Sequence, residues 1–504
     1  MWNYGYVTDT NYHHQFFHEL SPIAINFVLS SQGFSCPSLE NFTYCELGFG
    51  QGFTLNLLAS ANPQGDFWGT DFNPNQALNA QQLADLAGLK NIHLFDLSFA
   101  EFLETPTPQF DFIVLHGVLS WISSENRHLA IEFLRRKLKL GGVVYVNYNT
   151  LPAIAPIVPL RDLMKFYFDQ LSGNTIDKIE ESIDFVEQVK NLNGEYFRFN
   201  TLSLLKWEEI KKADRHHLAH EYFNRDWQSF YHYDVVEMLL AAKLTFASGV
   251  DLTLPLQLQH LETEQLAFLN SIANPNLRET VIDYLFNRPF RRDIFVKGNV
   301  ELNFPQRKQA LSKLAFASTM DSSKMTFNLL LRNKQLSLSS DIYEPLIASL
   351  KDKPTAIGDI FPVTKFKEEQ FVGLMTTLIA LYTKGYIMPV MDDSLHDRSQ
   401  STTSQFNNAV IEQVILGKEL NGLASPILGT GVTLPRYEQL FLYAYHNDRG
   451  LAQTTAEILE NLNQRVTKNG QAIDNPQDHL QELSRREEEF LVDRLPILKQ
   501  LKIV

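Results

Sequence analysis

Three glycines stand at alternate positions in CELGFGQG (45–52), directly after an apolar run, and a lone acidic residue, Asp71, follows in GTDFNP. Glycine lets the backbone turn with positive φ and lets a ligand approach closer than a Cβ would allow. The turn is therefore expected to be a ligand loop. A dinucleotide fingerprint would need glycine at position 53, where Phe53 stands, and no Lys-Ser/Thr pair follows to make a P-loop. What remains is a nucleoside-type ligand without a pyrophosphate. Asp71, ending one strand-like run, is placed to accept both ribose hydroxyls, and Asp96, ending the next, to meet an adenine amine.

The elements that must hold these residues alternate through the first 150 positions. FTYCEL (42–47), DFWGTDF (66–72), NIHLFDL (91–97), FDFIVLHG (110–117) and GGVVYVNYN (141–149) are short, β-branched or aromatic, and spaced for crossover helices. The pattern predicts an α/β fold with a parallel, doubly wound sheet, in which ligands lie at the carboxyl ends of the strands. Asn73-Pro74 and Ser123-Ser124-Glu125 read as helix starts, and Gly141-Gly142 as the stop of the helix carrying RRKLK.

Composition narrows the function classes. The 504 residues are 44% apolar, enough for roughly three ordinary domains. A net charge of −14 argues against nucleic-acid partners, which need dense basic patches, and favours basic or neutral substrates. The clusters KKADRHH (211–217) and RPFRR (288–292) read as solvated faces. Two cysteines, Cys36 and Cys45, are too few for a disulfide framework or a four-ligand zinc site, so no metal is expected. With no spanning apolar run and no signal-like start, a cytoplasmic protein without membrane insertion is expected.

Glu46 opening the glycine loop, the loop itself, Asp71, Asp96 and a fourth strand ending in His116-Gly117 together resemble the class I S-adenosylmethionine-dependent methyltransferases. The resemblance implies a Rossmann-like sheet with Gly48 and Gly50 under the methionine part of the cofactor and Gly52 closing the loop. It further places Asp71 with Phe72 at the ribose, Asp96 with Leu97 and Ser98 around the adenine, and Glu46 and His116 beside the cofactor. FDFIVLHGVLSWIS, VVYVNYNTLP with RDLM, LAHEYFNRDWQSFYHYDVVEMLLAAKLTFASGVD and NRPFRRDIFVKG are similar to bacterial methyltransferases with an attached methyltransferase regulatory domain. That family includes protein-lysine methyltransferases of bacterial outer-membrane proteins.

The expected organisation is an N-terminal arm and helix (1–41), a cofactor-binding core (42–155), a helical insertion that caps the site or pairs a homodimer (156–222), the end of the sheet (223–255), a middle regulatory domain (256–335) and a winged-helix-like C-terminal domain (336–504). The aromatic arm, with Trp2, Tyr4, Tyr6, Tyr12, His13 and His14, is read as a lid. Because the loop and both acids precede residue 100, a chain ending near 335 is expected to keep cofactor binding. Methyl transfer is an in-line displacement, and a lysine acceptor, with an amine pKa near 10.4, must first lose a proton. His116 is the expected base, with Tyr148 and Trp121 as further catalytic or cleft-wall residues, while His220, Glu221 and Tyr222 are candidates to fold over from the insertion. A protein lysine is the expected acceptor. The alternatives are N- or O-methylation of a small molecule or surface-glycan precursor, and a non-catalytic cofactor-binding module.

Overall fold

β-Branched and aromatic runs form β1 (Phe42–Leu47), β2 (Gly65–Thr70), β3 (Ile92–Phe95), β4 (Phe110–Leu115) and β5 (Leu138–Asn149). They pair in parallel in the order β3-β2-β1-β4-β5. The computed structural model describes residues 5–9, 14–258, 260–298, 300–331, 334–468 and 470–504. Asn73 and Ser123 cap the helices Pro74–Leu86 and Ser124–Lys137 by accepting backbone N–H groups. The second helix ends at Lys137, earlier than the glycine pair suggested, and Gly141 lies inside β5 with φ 76°.

Two more strands complete the sheet: β6 (Thr245–Gly249) at the edge, and β7 (Phe290–Val296), antiparallel to both β5 and β6, between them. The sheet therefore runs past the expected end at residue 255. A strand was hidden in RPFRR because its charges read as solvent-facing. Arg291 is in fact fully buried, donating to Asp293 at 2.8 Å and to Asp283 at 3.0 Å, with both carboxylates equally buried, while Glu279 accepts at 3.1 Å. This cluster ties the helix Pro275–Phe286 to β7 and holds the strand in register.

Alternation along β5 divides its side chains between two cores. Val143 and Tyr145 face the core shared with the helix Phe53–Ala61, whereas Val144, Val146 and Tyr148 face the core under Ser124–Lys137 and His232–Leu240. Residues 156–222 form a bundle with its own apolar centre, including Leu160, Ile179, Trp207 and Leu218.

The C-terminal part forms one continuous core with the sheet. The helix Asp393–Ile415 and the hairpin Gly422–Ser425/Thr430–Thr433 lie on Phe53–Ala61: Phe406 stacks on Phe53 at 6.1 Å, Asn62 Nδ2 donates to the Gly429 carbonyl at 2.7 Å, and Thr402 Oγ1 to that of Ser60 at 2.7 Å. The terminal LPILKQLKIV packs into this core through Leu498 and Leu501, and so belongs to no separate lobe. Where a winged helix was expected, helices Ser340–Leu350, Ile357–Ile360 and Glu368–Thr383 accompany a three-stranded sheet, not a strand pair. Its central strand, Ala315–Ser318, comes from before residue 336.

Candidate active site

The glycine loop leaves β1 at its carboxyl end and starts the helix Phe53–Ala61. Gly48, Gly50 and Gly52 all have positive φ, at 75°, 58° and 64°. A Cβ on Gly52 would stand 2.5 Å from Ala80 Cβ, so tight packing on the next helix demands glycine, whereas the space in front of Gly50 is open. That space belongs to a cavity of about 250 Å³ at the carboxyl ends of β1, β2 and β4.

Asp71 lines the cavity but is not idle there. Its carboxylate accepts the Gly50 and Asn73 N–H groups, both at 2.9 Å, so it fixes the loop as well as facing the space. Glu46 is buried beneath the loop, and its Oε2 has no hydrogen-bond partner among the described residues. Burial pushes the Glu46 carboxyl up to about 8, with the Asp71 charge adding to the effect, and burial pushes Asp71 up to about 7 against its two backbone donors. An orphaned carboxylate oxygen at the cavity floor and a loop open at Gly50 fit a ligand that brings a cation and needs close backbone approach.

Phe72, Leu97, Ser98, His116 and Trp121 also line the cavity. Asp96 does not: it is exposed and lies outside the walls, because the chain turns inward only at Leu97. Tyr148 is corrected more strongly. It is fully buried on the opposite face of β5, donating its hydroxyl to Asp293 at 2.6 Å with His232 Nδ1 at 3.1 Å. The neighbouring Asn147 takes the cavity position.

Asn147 also decides what His116 can do. The Gly117 N–H donates to Asn147 Oδ1 at 2.7 Å, which turns the amide Nδ2 toward His116 Nδ1 at 2.9 Å. His116 thus accepts at Nδ1 and, when neutral, carries its proton on Nε2. Burial lowers its pKa to about 4, outweighing the nearby Glu19 carboxylate, so the neutral form prevails at physiological pH. With its one lone pair engaged and its ring against Phe17, 4.1 Å between centroids, His116 is a positioned donor and not the expected base.

The insertion does reach the cavity. His220 and Glu221, on the helix Arg215–Tyr222, line it, and Tyr222 does not. Trp121 Nε1 donates to the Glu221 carbonyl at 3.2 Å, pinning this helix to the loop after β4. Asp226 and Phe290 line the cavity as well. From the arm, Tyr6 lies edge-on to Phe72 at 5.8 Å and near His220 at 5.7 Å, and Gln15 and Phe17 add to the wall. Trp2, Tyr4, Tyr12 and His13 lie outside the described residues.

This geometry can be set beside known proteins. A family model described as "Methyltransferase domain" matches residues 45–144, and one described as "Predicted methyltransferase regulatory domain" matches residues 214–297. An uncharacterized protein of Synechocystis sp. is 37% identical over 503 residues, covering 100% of this chain and 99% of its own. The chain belongs to the S-adenosylmethionine-dependent methyltransferases that carry this regulatory domain. An uncharacterized Rickettsia prowazekii protein is 27% identical over 306 residues, which span 60% of this chain and 52% of that relative. The structure of PKMT2 from Rickettsia typhi shares the fold with a TM-score of 0.68 over 98% of this chain and 99% of that one, at 18% identity.

In this methyltransferase the regulatory segment is built into the catalytic unit. Residues 214–297 supply β6, β7 and the cavity residues His220, Glu221, Asp226 and Phe290. Among the described residues no helix is long and apolar enough to cross a membrane.

Proposed function

We propose that the methyltransferase acts on a protein lysine side chain. The observation that carries this reading is the acidic lining of the cavity: Glu46, Asp71, Glu221 and Asp226 line it, neither lysine nor arginine does among the described residues, and a cation entering beside these carboxyls favours their ionised form. Such walls favour the sulfonium of the cofactor and a cationic acceptor together, and Trp121, Phe17 and Phe290 add aromatic surface suited to an alkylammonium. The acidic chain as a whole points the same way. The fold is shared with PKMT2 from Rickettsia typhi, whose structure is also known in complex with AdoHcy.

In this proposal Gly48, Gly50 and Gly52 cradle the methionine part of the cofactor, Glu46 faces its ammonium, Asp71 holds the ribose, and Leu97 and Ser98 flank the base. The bound cofactor supplies an electrophilic methyl group. Trp121 and Asn147 shape the acceptor side, and Tyr6 with the arm excludes water from it.

The test is transfer from S-adenosylmethionine tritiated in the methyl group to a lysate of bacterial envelope and soluble fractions. Label should enter protein and be recovered as methyl-lysine after acid hydrolysis. Label confined to small metabolites or glycan precursors would overturn the lysine reading and leave the small-molecule alternative.

A further inference from the structure

We infer that Glu221 is the group that takes the proton from the acceptor amine, with its carboxylate facing the transferable methyl between the ends of β4 and β5. The inference rests on the amine-acceptor reading above and deepens it.

One contact and the cavity wall place the residue. The Trp121 indole donates to the Glu221 carbonyl at 3.2 Å from the loop that follows β4, and Glu221 joins His116, at the end of β4, and Asn147, on β5, in lining the cavity. It makes no ion pair there among the described residues. The other candidates are engaged or lie elsewhere in the cavity. Asp71 holds Gly50 and Asn73, Glu46 lies under the glycine loop, Asp226 pairs with Arg225 at 2.9 Å, and His116 offers its lone pair to Asn147. Desolvation in the cavity pushes the Glu221 carboxyl up to about 7, so near neutral pH it is close to half ionised and poised to exchange a proton.

The step balances without any further reagent. The ammonium gives its proton to the Glu221 carboxylate, and the freed nitrogen pair forms the N–C bond. The C–S bond breaks with its electrons passing to sulfur, leaving S-adenosylhomocysteine and a methylated ammonium.

The probe is sinefungin, in which an amine stands where the cofactor carries its methyl. Its affinity is compared with that of S-adenosylhomocysteine for the full-length parent and Glu221→Gln by calorimetry. A carboxylate facing that position should favour sinefungin, and Glu221→Gln should cut the preference by about tenfold or more while leaving S-adenosylhomocysteine affinity within a few-fold. The preference of the parent should grow as pH rises through about 7, because ionised Glu221 is the form that attracts the amine. His116, His220, Asp226, Glu46 and Asp71 share the cavity and Tyr222 adjoins Glu221 on its helix, but all remain in the variant, so the difference between the two proteins isolates Glu221.

An unchanged preference with the variant folded, as judged by its melting temperature, would overturn the assignment. That result is independent of the acceptor: a parent that labels no lysine refutes the lysine reading, whereas the sinefungin ratio reads the position of Glu221 alone.

Discussion

Cut after residue 335, the chain is expected to lose cofactor binding altogether. The glycine loop, Asp71 and all seven strands of the main sheet remain in such a fragment, yet the helix that the loop starts loses its cover. Phe406 leaves Phe53, and the hairpin that sits so close to Leu57 that a Cβ on Gly431 would stand 2.8 Å from it is gone. The Asn62 and Thr402 hydrogen bonds go too. Each large apolar side chain uncovered costs roughly 1.5–3 kcal/mol, and a handful of them equals the roughly 5–15 kcal/mol by which a typical domain is stable. Calorimetry with S-adenosylhomocysteine on the fragment should give no heat of binding, and its thermal transition should be absent or non-cooperative. Parent-like affinity in a cooperatively folded fragment would show that residues 336–504 are a separable lobe.

The second large effect is expected at Arg291. Arg291→Ala takes from Asp283 and Asp293, both fully buried, the guanidinium they share, leaving Asp283 only Arg288 at 3.6 Å. Breaking a buried ion cluster by removing one partner costs about 3–5 kcal/mol, because the remaining charge has no compensation. Arg291 and the hydrogen bond from His232 hold the Asp293 carboxyl far below the usual carboxylate range against its burial, so it is ionised at neutral pH. The urea midpoint should fall by an amount matching that loss, and Arg291→Lys, which keeps the charge without the forked donors, should fall in between. A variant as stable as the parent would mean that β7 is not held by this cluster. Tyr148, which donates to Asp293, belongs to this account of stability and not to the chemistry.

The cofactor half was legible because its signals are local. Glycines with positive φ, apolar runs of strand length and capping residues at Asn73 and Ser123 each act within a few residues, and they placed five strands and the loop. β7 was not legible, since Arg291 and Asp293 neutralise each other only after the chain has folded onto Asp283. For Tyr148 the signal is in the sequence: alternation puts it on the face of Val144 and Val146, with Asn147 on the other. The role of His116 depended on an amide two strand positions from Tyr145, and no spacing rule reports which ring nitrogen is engaged. Of the trio the sequence offers from the insertion, His220 and Glu221 reach the cavity and Tyr222 does not, because only the fold sets which side of that helix meets the loop after β4, a hundred positions earlier in sequence.

The central claim is that the cavity over the glycine loop is where the cofactor sits, and titration of S-adenosylhomocysteine into the parent and into Asp71→Ala tests it most directly. Asp71 both ties Gly50 in place and, in this account, accepts the ribose hydroxyls, through hydrogen bonds to a charged group worth on the order of 1.5–3 kcal/mol each. The parent should bind S-adenosylhomocysteine and show no specific binding of NADH, and the variant should bind at least about tenfold more weakly with its melting temperature recorded on the same samples. Equal affinity in the folded variant and the parent would contradict the account.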